Sequence, residues 1–85
     1  MTLLDQLGRR ATLRVLWELR SGPLTFRELV VAAESNSSVV NTRLHELRGR
    51  GIVEHAQGGY RLTDAGKELL ELLLPLDQWA RRRMG

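Results

Sequence analysis

The sequence predicts a mainly α-helical domain carrying one small β-hairpin, and three observations support that expectation. Apolar residues recur at helical spacing in four separate stretches, the pattern of helices that bury one side. A glycine pair, Gly58-Gly59, sits between two short strand-like runs, Ile52–Ala56 and Tyr60–Leu62, as a tight hairpin requires. The 85 residues suffice for one domain, residues 1–85, with a modest core, because a chain of this size buries only roughly 60–65% of its unfolded surface.

The first helix is expected over Leu3–Arg20. Its apolar positions, Leu4, Leu7, Ala11, Leu13, Val15, Leu16, Trp17 and Leu19, are wider than one stripe, so two faces need cover. Ser21-Gly22-Pro23 ends it, since proline cannot continue a helix. Leu24 fits a short extended segment, after which Thr25-Phe26-Arg27-Glu28 reads as a capping box. The second helix turns Phe26, Leu29, Val30 and Ala33 inward and leaves Arg27, Glu28 and Glu34 wet. Glu34-Ser35-Asn36 is a polar break, and Asn36 suits the cap of a third helix from Ser37 to about Arg50, with Gly51 just past it. Val40, Leu44 and Leu47 form its inward stripe. After the hairpin, Thr63 and Asp64 cap a last helix containing Leu69, Leu70, Leu72, Leu73, Leu74, Leu76 and Trp79 and ending in Arg81-Arg82-Arg83. Pro75 is expected to kink or break it, since its ring meets the Glu71 carbonyl and its missing amide removes a hydrogen bond. The sequence shows no internal repeat, linker or low-complexity segment.

Composition narrows the function. Thirteen basic residues, all arginine except Lys67, stand against ten acidic ones, a formal charge of +3. That balance favours an anionic partner only where placement supports it. Arginine suits phosphate because its planar fork holds two oxygens at once. The absence of cysteine excludes disulfides, thiolate zinc sites and thiol redox sensing from within this chain. No apolar run approaches the ~20 residues of a spanning helix and no leader-like start is present. A cytoplasmic, nucleoid-associated protein with no membrane partner is expected.

Helix, short strand, helix, polar turn, helix, hairpin, helix is the order of a winged helix-turn-helix. A recognition helix needs an apolar side that packs and compact polar groups on the side entering the major groove, ~12 Å wide. Ser38, Asn41, Thr42 and His45 fall at i, i+3, i+4 and i+7 on the side opposite Val40, Leu44 and Leu47. Asn41 can bond an adenine edge twice, and Thr42 can either bond a base or pack its methyl on thymine. Arg43 and Arg48 flank the row and Arg27 opens the second helix, all three suited to phosphate. Ser37 and Ser38 lie at the helix start, where free amides also favour phosphate. Gln57 at the hairpin tip and Arg61 on its return strand are the candidate wing contacts. The alternatives are a solvated helix face and a purely structural hairpin.

Asp5–Leu13, the run Gly22-Pro23-Leu24-Thr25-Phe26-Arg27-Glu28-Leu29, then Arg43–Leu47, Gly51–Glu54 and Tyr60–Gly66 resemble the HxlR-type regulators, relatives of the MarR group. The likeness covers nearly the whole chain, and the Gly-Pro-Leu-x-Phe-x-Glu-Leu run is its most specific part. It implies a bacterial homodimer joined through the first and last helices, with a recognition helix of each subunit in successive major grooves. Leu4, Leu7, Leu69, Leu70, Leu73, Leu76 and Trp79 are the expected dimer contacts, the alternative being burial within a single chain. The chain departs from the family where members carry a basic residue after the start of the third helix, here Ser37-Ser38, and a tryptophan in place of Ala11; the wing is also shorter by several residues. The cysteine with which some members sense oxidants is absent.

No catalytic or metal site is expected, because His45 and His55 fall on different elements and no glycine loop leads into a helix as a phosphate cradle would. No cofactor is expected; a small-molecule effector is compatible with the reading but unidentified. The expected function is a sequence-specific double-stranded DNA-binding transcriptional regulator, a repressor, on a pseudo-palindrome whose half-sites lie ~34 Å apart. The rival is a winged helix used as a protein-protein adaptor without DNA binding. Arg81–Arg83 can add backbone contacts or form a frayed cationic tail.

Overall fold

A computed structural model describes residues 10–84; the expected helical stretch before Arg10, with Leu4 and Leu7, lies outside the described residues. Helix α1 spans Arg10–Glu18 and tightens into a 3-10 turn at Leu19–Ser21. Helix α2 spans Phe26–Ala32, α3 Ser37–Gly49, strand β1 Val53–Ala56, strand β2 Gly59–Leu62, and α4 Asp64–Met84. The expected extended segment at Leu24 is a single-residue bridge to Tyr60, so the sheet has two strands.

The helix starts follow local chemistry. The Thr25 hydroxyl accepts the Glu28 N–H at 3.2 Å and the Glu28 carboxylate accepts the Thr25 N–H at 2.8 Å, the two halves of a capping box. The Thr25 backbone N–H, and after it the Thr25 side chain, stabilise the ionised Glu28 carboxylate and hold its carboxyl below the ordinary glutamate range. Asn36 caps α3 by accepting the Val39 N–H at 2.8 Å. The turn joining α2 to α3 is a Schellman motif: Ser35 N–H donates to Val30 O at 3.4 Å and Glu34 N–H to Val31 O at 3.2 Å. That motif puts Glu34 in the left-handed region, φ 52°, where glycine is the usual occupant. Polarity is the only mark of this turn in the residues themselves.

Val15, Leu16 and Leu19 from the first helical segment, Leu29 and Ala33, Val40, Leu44 and Leu47, and Ile52, Val53 and Leu62 make one core. Thr12, outside the apolar positions of the sequence pattern, is also fully buried. Leu69, Leu70 and Leu73 were expected at a dimer interface but pack at least partly against this core. The open flank of α4 carries Leu72 beside the expected Leu76 and Trp79. Leu72 was not expected there, because leucine positions alone do not fix the rotation of a leucine-rich helix. Nor does Pro75 break α4, which continues through it. Glu71 and Pro75 both face solvent, so the carbonyl that loses its amide partner can turn to water and the helix need not end.

Two close approaches tie the hairpin down. Leu24 and Tyr60 exchange backbone hydrogen bonds at 3.0 and 2.8 Å, and a Cβ at Gly59 would collide with the Leu24 carbonyl. At the start of α4, Thr63 N–H donates to Ile52 O at 3.0 Å, and the Thr63 hydroxyl accepts the Gly66 N–H at 3.1 Å. Gly66 then sits directly on the Ile52 carbonyl, with no room for a Cβ.

Gly66→Ala should therefore lower unfolding free energy by about 3 kcal/mol, the upper end for overpacking a site that cannot give; urea denaturation unchanged to within about 0.5 kcal/mol would contradict this packing. Glu34→Gly should raise stability by about 0.5–1 kcal/mol. Relief of the left-handed penalty outweighs glycine's extra unfolded-state freedom, and the exposed Arg14–Glu34 pair, 3.8 Å apart, contributes little. A lower melting temperature would show that the turn is not the strained element described.

Candidate nucleic-acid interface

The core fixes the rotation of α3. With Val40, Leu44 and Leu47 buried, Ser37, Ser38, Asn41, Thr42 and His45 all face solvent on the side away from the domain. Because Asn36 supplies the cap, the two serines keep their side chains open at the helix start, where α3's free amides give a partial positive charge. Thr42 is oriented by its own backbone, its hydroxyl donating to Ser38 O at 3.0 Å.

The arginines divide. Arg27 is exposed beside the α2 capping box, and Arg48 is exposed at the last turn of α3 with its guanidinium 5.9 Å from the Tyr60 ring centre. Arg43 is not on the open face. Its side chain is only 12% exposed and lies 2.9 Å from the Glu46 carboxylate, and its buried Nε finds no hydrogen-bond partner among the described residues. Positions 43 and 46 lie on the flank of α3 next to the core stripe, so the phosphate contact expected of Arg43 has no exposed guanidinium to make it.

Beside α3 stands the hairpin, with Val53 opposite Leu62, Glu54 opposite Arg61, His55 opposite Tyr60 and Ala56 opposite Gly59. Gln57 is exposed at the tip. Arg61 is exposed but its Nε donates to Glu54 at 2.7 Å, so the wing's one permanent cation is largely neutralised within the wing. Tyr60 is the residue that sequence reasoning missed. It bridges to Leu24 through its backbone, packs its ring 4.7 Å from His55 at 44°, and lies under Arg48. It thus connects α3, the wing and the segment before α2, and the only signal for it was its place in the Tyr-Arg-Leu-Thr run.

Elsewhere, α1, α4 and the turn after α2 border an open groove of about 820 Å³, lined by Leu13, Trp17, Leu70 and Leu73 together with Arg14, Asp77 and Arg81. Arg81 pairs with Asp77 at 3.0 Å. Arg81–Arg83 continue α4 and complement the negative end of its dipole. Among the described residues no three His, Cys, Asp or Glu side chains gather as a metal site. No helix among them is long and apolar enough to cross a membrane.

Residues 1–73 match the family described as Domain of unknown function (DUF7347). An uncharacterised HTH-type transcriptional regulator of Methanocaldococcus jannaschii is 26% identical over 84 residues, 93% of this chain and 79% of the relative. Among solved structures, quinone-bound YodB from B. subtilis superposes with a TM-score of 0.85 at 28% identity, covering 93% of this chain and 91% of YodB. A possible HxlR family transcriptional factor from Thermoplasma volcanium GSS1 superposes with a TM-score of 0.84 at 25% identity, covering 95% and 80% respectively. The chain belongs to the DUF7347 family and is a winged helix-turn-helix protein of the HxlR and MarR regulator type.

Proposed function

We propose that this protein is a sequence-specific, double-stranded DNA-binding repressor that acts in the cytoplasm as a homodimer on a pseudo-palindromic operator. The observation that carries the reading is the open face of α3: five compact polar side chains on a helix whose opposite side is sealed into the core. Such a helix fits the major groove, with Asn41 placed for an adenine edge and Arg48 and Arg27 for phosphates on either side. Arg61 adds less, because its charge is shared with Glu54.

The dimer reading rests on Leu72, Leu76 and Trp79, spaced i, i+4 and i+7 along α4 and 73%, 59% and 48% exposed. Burying such a side chain contributes roughly 1.5–3 kcal/mol. Six of them across a two-fold axis offset an association cost of roughly 4–15 kcal/mol only narrowly. Leu4 and Leu7 therefore belong to the proposed interface as well. The groove between α1 and α4, lined by Leu13, Trp17, Leu70 and Leu73 together with Arg14, Asp77 and Arg81, is the place we assign to a small-molecule effector.

Fluorescence anisotropy of the protein on a duplex selected from a random pool, against a scrambled control, tests the DNA reading. Wild type should prefer the selected duplex and lose about 10³–10⁵ in affinity from 50 to 200 mM salt, as neutralisation of 6–10 phosphates demands. Asn41→Ala should remove the preference, a loss of about 1–3 kcal/mol, while weak salt-sensitive binding persists. If neither duplex binds at low salt, the fold serves as a protein-protein adaptor. Leu76→Glu should convert the dimer to a folded monomer in light scattering at micromolar concentration; an unchanged dimer would move the interface away from α4.

A further inference from the structure

Thr42 is the one member of the exposed row whose side chain is fixed by a hydrogen bond to the helix itself. Its hydroxyl donates to the Ser38 carbonyl one turn back, at 3.0 Å. A threonine hydroxyl has a single proton, so Thr42 cannot donate to a base edge without giving up that bond. Two groups remain available, a weak oxygen acceptor and the γ-methyl. The acceptor adds no discrimination beside Asn41, whose carboxamide takes the same adenine or cytosine amino groups with better geometry. The methyl is different. Among Ser37, Ser38, Asn41, Thr42 and His45, only Thr42 carries one, and in the major groove only thymine displays a methyl to meet it.

From this commitment of the hydroxyl we infer that Thr42 is a specificity-determining residue that reads a thymine through methyl-methyl contact. The inference rests on the DNA-binding reading above and names what one position of its recognition helix selects. Thr42 then acts as an apolar group, and the Ser38 carbonyl serves to hold its methyl in one rotamer.

The test takes the duplex that wild type selects from a random pool and replaces each thymine in turn by deoxyuridine, which pairs identically and lacks only the methyl. At one position in each half-site, wild-type affinity should fall about fourfold, the worth of one buried methyl group. Thr42→Val keeps the methyl and removes the hydroxyl. It should retain the deoxyuridine penalty. Thr42→Ser keeps the hydroxyl and removes the methyl. It should bind about sixteenfold more weakly, fourfold from each half-site of the dimer, and show no further penalty. Circular dichroism melting establishes that both variants are folded. Specific binding that Asn41→Ala abolishes but no deoxyuridine weakens would overturn the methyl reading and leave the regulator intact. So would a loss in Thr42→Val with none in Thr42→Ser, which would make the hydroxyl the reader. If no duplex is enriched, the regulator reading fails and this inference goes with it.

Discussion

Val40, Leu44 and Leu47 are almost wholly removed from solvent, packed into the same core as Val15 and Leu16. A helix held along one stripe keeps no rotational freedom, and truncating a buried leucine costs roughly 2–5 kcal/mol, more than any single polar contact at its surface. What α3 shows to the outside is therefore decided by what it hides. Asn41, Thr42 and His45 face outward because Leu44 and Leu47 cannot, and Arg43 is drawn to the flank because it neighbours Leu44 and lies three residues from Glu46. The position of the wing depends on the same core, since Ile52, Val53 and Leu62 complete it.

Features written in a few adjacent residues were legible in the sequence. The Thr25–Glu28 capping box, the Asn36 cap, the inner stripe of α3 and the hairpin around Gly58-Gly59 all form as their local chemistry dictates. Features that depend on what lies across the fold were not. Periodicity put both Leu73 and Leu76 on an apolar helix, but only the position of the core separates the leucine that packs inside from the one left outside. Glu34 carries no mark of its left-handed conformation, which the two flanking helices impose. Tyr60 looked like one more strand residue until its neighbours were in place.

Charge is distributed in the same contextual way. A count of arginines overstates what a polyanion would meet, because Arg14, Arg43, Arg61 and Arg81 each lie beside a carboxylate. Such surface pairs contribute little to stability, but they lower the field that the protein projects. Arg27 at the start of α2 and Arg48 at the last turn of α3 are exposed, whereas the row itself is polar and uncharged apart from His45. A surface arranged in that way discriminates by shape and hydrogen bonding more than by attraction.

Pro75 gives α4 a mechanical property that its unbroken outline hides. A helix lacking one rung of its hydrogen-bond ladder midway along its length is more compliant there than on either side. Leu69, Leu70 and Leu73, before the missing rung, are anchored to the core, whereas Leu76 and Trp79 lie beyond it. The outer half of α4, with Leu76 and Trp79, therefore meets whatever covers it from beyond its most compliant turn.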